Sequence, residues 1–321
     1  MASHLSNKGK VAIVGCGLIG QAWAMIFASA GYKVSLYDVL SEQIENAKNT
    51  IQHTLQDYHQ KGCLKGPLSP EEQFGLISGT PVLRECLEDA IFIQESVPEI
   101  LQIKHQVYRA IDIFMSSNTI LSSSTSSFLP SVLSEHSTHR SQFIVAHPVN
   151  PPYFIPLVEI VPAAWTSERV ITRTREIMTE IGMKPVTLTT EIRGFALNRI
   201  QFAVLNECYH LVHDGVLSAK DIDRVMSEGL GLRYAFLGPL ETIHLNSAGI
   251  EDYCKRFGNS IFEVSQTFKP TPLLDGTGLK EVAKQVNQMC PISQIPDRAK
   301  WRDDCLYKLS KLKGEQAKEK R

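Results

Sequence analysis

The sequence predicts an α/β fold: a doubly wound sheet of parallel strands, interrupted by a helical insertion and followed by an all-α second domain. Three observations predict it. Short apolar runs alternate with turns and helical stretches over residues 1–192. A strand, glycine turn, helix and second strand open the chain. Strand patterning then stops, and helical periodicity takes over residues 193–321.

The bulk numbers bound what such a chain does. With 321 residues, 43% of them apolar, it is long enough for two domains with real cores. Thirty-three Lys and Arg balance 34 Asp and Glu. That leaves no basic field for nucleic acid and none for an anionic membrane, so a small molecule or another protein is the expected partner. The seven cysteines are odd in number and never form CxxC, which points away from a disulfide framework or zinc site and toward a reducing cytosol. No apolar run approaches the ~18 residues of a membrane span, and MASHLSNKGK has no apolar signal core.

The opening unit is KVAIVGCGLIGQAWAMIFASAGYKVSLYD, residues 10–38. Gly15, Gly17 and Gly20 make G-x-G-x-x-G between strand and helix, the Rossmann-type arrangement. The first glycine permits a tight turn, the second lets backbone approach a pyrophosphate, and the third lets helix and strand pack closely. The helix start offers free N–H groups to that phosphate, with Leu18 and Ile19 as backbone contacts and side chains equally suited to a core. Asp38 closes the next strand, where a carboxylate accepts hydrogen bonds from both ribose hydroxyls and repels a 2′-phosphate. VLSEQ follows without an arginine, so NAD is the expected cofactor, and no metal is expected.

Next comes the insertion. Ile44, Ala47, Ile51, Leu55 and Tyr58 recur at helical spacing, KGCLKGPLSPEE breaks that helix, and another begins near Ser69. Alternation resumes through IFIQESVPE, NTILSSSTSSF, QFIVAHP and KPVTL. Ligand groups in open parallel sheets gather beyond the carboxyl ends of strands, which singles out Glu99, Ser126 and His147. Glu99 is equally an acid favoured by a helix start, Lys104 equally a solvated face, and Ser126 equally a turn or cap serine.

His147 ends a strand, and LVEIV resumes one carrying Glu159. Pro148, Pro151, Pro152 and Pro156 bar a helix between them and are expected to set the return that brings Glu159 beside His147. A carboxylate on Nδ1–H fixes the tautomer and leaves Nε2 to take a hydroxyl proton, which hydride transfer to NAD⁺ requires. Alone, His147 reads more readily as structural; beside a dinucleotide site and a carboxylate it reads as a base. Ser126 and Asn198 are candidates to steady the reacting oxygen.

Taken together, GxGxxG with Asp38, SVPE, SSTSS, HPVNPPYFIPLVEI, GFALNRI and EGLGLRYAFLGPLE resemble the 3-hydroxyacyl-CoA dehydrogenase family over nearly the whole chain. The resemblance implies a Rossmann-type domain with a helical insertion, then a helical domain that dimerises. It also implies that His147 is the base, Glu159 its partner, Ser126 and Asn198 polar residues near the reacting oxygen, and Glu99 and Lys104 contacts close to the cofactor. One departure bears on substrate. Fatty acyl-CoA members commonly carry HFF after the strand, whereas HPVNPP is shared with members acting on small carboxylates such as gulonate or carnitine. The resemblance implies NAD-dependent oxidation of the 3-hydroxyl of L-gulonate, with 3-hydroxyacyl-CoA or carnitine as alternatives. An accumulated structural protein of the lens is the alternative of another class.

Arg233 lies where the acyl-CoA enzymes have an apolar or small residue. A planar bidentate donor suits a substrate carboxylate, from its own subunit or across a dimer interface, with a surface or intramolecular salt-bridge arginine as the alternative. FALNRIQFAVLNECYHLVHDG reads as a long helix ended by Gly215, too apolar for one packing face, and SAKDIDRVMSEG as a capped amphipathic one. KLSKLKGEQAKEKR reads as a frayed, solvated tail.

Overall fold

The computed structural model describes residues 8–319, and the segment MASHLSN falls outside them. Two units emerge, Met1–Arg199 and Ile200–Arg321. In the first, β1 (Lys10–Val14), α1 (Leu18–Ser29) and β2 (Lys33–Tyr37) form the opening unit. The insertion α2 (Ser41–Gln60) and α3 (Pro70–Gly75) precedes β3 (Ile77–Gly79), α4 (Leu83–Leu87) and β4 (Ala90–Glu95). Then come α5 (Leu101–Phe114), β5 (Ile120–Ser123), α6 (Pro130–Ser134), β6 (Phe143–Pro148), β7 (Leu157–Pro162), α7 (Glu168–Glu180) and β8 (Lys184–Thr187).

These strands form one sheet in the order β3-β2-β1-β4-β5-β6-β7-β8. Chain order reverses between β1 and β4, and at such a switch point the helices leave a crevice beyond the carboxyl ends of the strands. Helices cover both faces, so β1 is buried on both and reads as the unbroken run VAIV. Under one face, Trp23, Phe27 and Phe92 pack with ring centroids 5.9 Å apart. The other face holds Tyr108 edge-on to Phe143, together with Ile93, Leu121 and Phe195.

The insertion follows its sequence closely. On α2 the buried side chains are Ile44, Ala47, Ile51 and Leu55, and the Tyr58 ring lies 4.5 Å from that of Tyr153. Helix α3 starts in a reciprocal cap: Ser69 Oγ accepts the Glu72 N–H, and Glu72 Oε2 accepts the Ser69 N–H.

Two features depart from expectation. The edge strand β3 has only three residues, too few for a period-two pattern to declare itself. More consequentially, β7 runs antiparallel to β6, in a sheet whose other pairs are parallel. The ladder pairs Ile144 with Pro162 through to Pro148 with Val158, and His147 falls directly opposite Glu159. Strand pairing therefore sets their separation; Pro148 ends the ladder, and Pro151, Pro152 and Pro156 shape only the connecting loop. That loop is packed down by Tyr153 and Phe154, both buried against Tyr58.

The chain passes into the second unit within α8 (Leu197–His213). That helix ends ahead of Gly215 at φ +68°, as its sequence indicates. Ser218 caps α9 (Ala219–Arg224), a π-helical turn covers Val225–Leu230, and α10 (Gly231–Arg233), α11 (Pro239–Leu245), α12 (Ile250–Ser265) and α13 (Gly276–Met289) follow. The last, α14, runs Ile295–Glu319. The expected frayed tail is thus helical as far as it is described, since its lysines, glutamates, glutamine and alanine are good helix formers; residues 320 and 321 lie outside the described part.

Candidate active site

The glycine turn is built as its spacing requires. Gly15 holds φ +103°, and a Cβ there would lie 2.7 Å from the Ser96 carbonyl oxygen. A Cβ on Gly20 would lie 1.9 Å from the Gly15 carbonyl oxygen, so only glycine lets α1 sit this close to the turn. Around Gly17 a Cβ would meet nothing within 4 Å, leaving open space in front of the turn. Gly17 supplies no side-chain cap, and the first turn of α1 has no acid. Its ladder begins with Gln21 N–H to Gly17 O, so the N–H groups of Leu18, Ile19 and Gly20 precede it. The Leu18 side chain is 69% exposed and Ile19 half-buried, which leaves their backbone as the relevant part. Asp38 is tied to the same turn, Oδ2 accepting the Cys16 N–H at 3.0 Å. These residues fit a dinucleotide: donors for its pyrophosphate, room for it, and a half-buried carboxylate for its ribose.

Beyond β4 lies a buried ionic network. Glu95, fully buried, accepts from Val97 N–H at 2.7 Å, Lys104 Nζ at 2.9 Å and Ser123 Oγ at 2.6 Å, and also from the Tyr108 hydroxyl. Burial first, and the charge of Glu95 second, push the Tyr108 phenol well up, which keeps its proton available to donate. Lys104 is 1% exposed; it donates to Glu95 and to the Val97 carbonyl at 3.3 Å, and its Nζ forms an ion pair with Glu99 at 3.2 Å. Lys104 thus holds Glu99 in place from behind.

Glu99 gathers the serine loop. Its Oε1 accepts from Thr125 Oγ1 at 2.5 Å, Ser126 N–H and Ser127 N–H at 3.1 Å, and Ser127 Oγ at 2.8 Å. Burial raises its carboxyl, but the bond from Thr125, the charge of Lys104 and the bond from Ser127 outweigh that and hold it below the usual range. Ser126 is gripped through backbone on both sides, since its carbonyl accepts from Asn198 Nδ2 at 2.8 Å. Its hydroxyl makes no hydrogen bond among the described residues.

The dyad is closed. His147 Nδ1 lies 2.8 Å from Glu159 Oε2, and because a carboxylate only accepts, Nδ1 carries the hydrogen. The other nitrogen, Nε2, then has its lone pair free. The ring is 5% exposed and packs 5.5 Å from that of Phe195. Burial raises the Glu159 carboxyl, yet the bond from His147 and those from the Leu197 and Ala196 N–H groups bring it below the usual carboxylate range. Glu95, Ser123, His147 and Glu159 share one sheet face, as strand alternation and register require. A cavity of about 550 Å³ lies elsewhere, at the amino-terminal ends of β4 and β5 against α7. No group of three metal-ligating side chains occurs among the described residues.

Sequence reasoning singled out neither Glu95 nor Phe195. An acid ending the apolar run IFIQE was the available signal for Glu95; nothing in GFALNRI marks Phe195 as the ring under a histidine. Arg233 ends α10 in the second unit, exposed, and makes no ion pair among the described residues.

Comparison with known proteins agrees with this geometry. The family model for the 3-hydroxyacyl-CoA dehydrogenase NAD binding domain matches residues 10–192, and that for the C-terminal domain matches residues 194–284. The chain belongs to the 3-hydroxyacyl-CoA dehydrogenase family. Its first unit is accordingly that family's NAD-binding domain, and the protein is an NAD-dependent oxidoreductase of the family. Among relatives, the chain is 48% identical to the lambda-crystallin homolog of Homo sapiens, over 97% of this chain and 98% of that one. It is 33% identical to the L-carnitine dehydrogenase of Oceanobacillus iheyensis, over 94% and 97%. Of solved structures, 5-formyl-3-hydroxy-2-methylpyridine 4-carboxylic acid 5-dehydrogenase, an NAD⁺-dependent dismutase, superposes with a TM-score of 0.79. It shares 24% identity and covers 94% of this chain and 96% of its own, a likeness of fold.

Two predictions follow from the geometry. Gly17→Ala keeps the wild-type melting temperature but binds NADH at least ~10-fold more weakly by fluorescence titration, whereas Gly20→Ala loses about 3 kcal/mol of stability from the clash with Gly15. Glu99 and Glu159, held below their unfolded values, contribute stability that is full above about pH 4.3 and is lost as pH falls through their folded values. Thermal scans should therefore show the melting temperature dropping below about pH 4.3, with a shallower drop in Glu99→Gln.

Proposed function

We propose that the protein oxidises the 3-hydroxyl of L-gulonate to 3-dehydro-L-gulonate with NAD⁺. The observation that carries an alcohol oxidation is the closed His147–Glu159 pair, with Nε2 free at the carboxyl end of β6. NAD⁺ supplies the hydride acceptor. As the carbinol carbon gives up hydride, Nε2 of His147 takes the hydroxyl proton, so that alcohol becomes ketone and one proton is released. Glu159 keeps the imidazole in the tautomer that accepts and stabilises the imidazolium that forms. The uncommitted Ser126 hydroxyl and the remaining amide groups of Asn198 are suited to orient the oxygen on which charge changes.

A small hydroxy acid is supported by HPVNPP in place of an aromatic loop and by the relatives named lambda-crystallin homolog and L-carnitine dehydrogenase. Arg233, exposed and without an ion-pair partner among the described residues, is proposed to take the substrate's C1 carboxylate bidentately. The complete dyad and glycine turn favour turnover over a purely structural role as a lens crystallin. Seven unlinked cysteines support a cytosolic setting.

A homodimer is part of the same reading. Among the described residues of the second unit, the buried apolar side chains are Val212, Ala219 and Ile222. Leu232, Phe236, Leu240, Leu245, Phe262 and Leu273 are each more than half exposed. So small a core does not sustain a unit of this length, and a second copy of the chain, bringing the same apolar surface, is the proposed cover.

Reduction of NAD⁺ followed at the NADH absorbance band is expected with L-gulonate; turnover of 3-hydroxybutyryl-CoA or carnitine with none of gulonate overturns the substrate. His147→Gln lowers kcat by about 100-fold or more while leaving NADH affinity unchanged, and Arg233→Ala raises KM for gulonate by about 10-fold or more. Light scattering on the full chain should give twice the 35.8 kDa chain mass, and Phe262→Lys should weaken that association.

A further inference from the structure

On the sheet face opposite the ionic network runs a second set of polar contacts, which the dyad does not use. Strand alternation sends Glu95 and Ser123 to one face, and Gln94, Ser96 and Ser124 to the other, toward Trp23 of α1. The contacts converge on one atom. Ser124 Oγ lies 3.1 Å from Trp23 Nε1, 2.6 Å from Gln94 Nε2 and 2.9 Å from Ser96 Oγ.

Counting hydrogens gives these contacts a direction. The indole N–H of Trp23 only donates. The Gln94 amide presents its nitrogen here, because the same Nε2 lies 3.4 Å from the Ala146 carbonyl, which only accepts. Ser124 Oγ therefore receives two N–H groups, and a hydroxyl oxygen has two lone pairs. Its own hydrogen is left for Ser96, so Ser124 donates and Ser96 Oγ accepts. The hydrogen of Ser96 is then the open end of the chain, with no acceptor among the described residues.

Ser96 stands where such a donor is of use. It follows β4 at the switch point, and its N–H donates to the Val14 carbonyl at 2.7 Å. Its carbonyl oxygen is the atom that a Cβ on Gly15 would strike, at 2.7 Å. Ser96 thus lines the glycine turn from the β4 side, half-buried, while the N–H groups of Leu18, Ile19 and Gly20 line it from α1.

We propose that Ser96 is a further cofactor-binding residue, whose hydroxyl donates to a pyrophosphate oxygen of NAD(H), with Trp23, Gln94 and Ser124 as the residues that aim it. The assignment rests on the NAD-binding domain and requires no particular alcohol, so it stands apart from the gulonate reading. A pyrophosphate oxygen only accepts, and a hydroxyl already oriented gives it a charge-assisted bond with little ordering left to do on binding. The relay carries the event inward as well. A hydroxyl that donates becomes a better acceptor, so Ser96 bound to phosphate draws harder on Ser124, and Ser124 on the Trp23 N–H. Trp23 is fully buried, and a cofactor in the crevice does not touch it.

Binding measurements without substrate test the contact. Ser96→Ala is expected to raise the Kd for NADH about 10-fold by fluorescence titration. The Kd for ADP, which keeps the pyrophosphate and lacks the second ribose, rises by a similar factor in calorimetry. Ser96→Thr retains the hydroxyl and stays within ~3-fold of wild type, and the melting temperature of Ser96→Ala stays within about 2 °C. Should Ser96→Ala prove less stable than that, Ser96→Cys fills the same space with a weak donor and takes its place. Nuclear magnetic resonance tests the relay. The Trp23 indole N–H signal, identified by its loss in Trp23→Phe, is expected to move downfield as NADH saturates the wild type, and less than about half as far in saturated Ser96→Ala. Unchanged NADH affinity in Ser96→Ala overturns the proposal, as does a Ser96→Thr protein as weak as Ser96→Ala. Weakened NADH binding with full ADP affinity places the hydrogen on ribose or nicotinamide and overturns the pyrophosphate contact; equal Trp23 shifts overturn the relay. Failure of the gulonate reading leaves every one of these results as stated.

Discussion

The antiparallel pairing of β6 with β7 is the constraint on which the rest of the site depends. In a parallel sheet the neighbour of His147 would arrive by a long crossover, and its side chain would be placed by a helix and two loops. Reversing one strand puts Glu159 directly opposite His147 in a ladder of five paired residues. Both side chains then stand on the same face, within hydrogen-bond reach, and their geometry is as rigid as the sheet. Their mutual satisfaction also makes it tolerable to bury two ionisable groups at 5% and 1% exposure.

A second buried network supports the opposite side of the site. Glu95, Lys104 and Glu99 alternate in charge from the core outward, with the ammonium paired to both carboxylates. Leaving one member unpaired in such a place is costly, which is why the network is a strong determinant of loop geometry even where its net energy is small. Its outer carboxylate fixes Thr125, Ser126 and Ser127 by side chain and backbone together. The serines outside β5 are therefore held as firmly as a strand, although the chain there has no regular structure.

Much of this was legible in the sequence, and the reasons differ by element. The glycine turn is legible because each glycine answers a specific steric demand, and Gly15 and Gly20 meet carbonyl oxygens at distances no Cβ tolerates. Helix α2 is legible because one face is buried and the other wet, so its period shows. The His147–Glu159 pair could be suspected from the recurrence of strand patterning after the loop. Its cause could not: strand direction leaves no mark in an apolar run, and so the prolines seemed to be the agent. The role of Lys104 was equally hidden. Whether a lysine after a helix start faces a ligand or a buried glutamate depends on Glu95, nine residues upstream on another element. Phe195 was invisible for a similar reason, because a left-handed phenylalanine, at φ +50°, is dictated by what surrounds it.

The ladder under the dyad also separates two jobs that catalytic loops often combine. Since strand pairing secures His147 and Glu159, the segment 149–156 is relieved of any part in aligning them. It hangs from the sheet as an exchangeable module, anchored by Tyr153 and Phe154 against the helical insertion. Selection is then at liberty to rewrite that module for a new alcohol while the proton-transfer apparatus beneath it stays untouched. The same chemistry is thereby portable among substrates as different as an acyl thioester and carnitine.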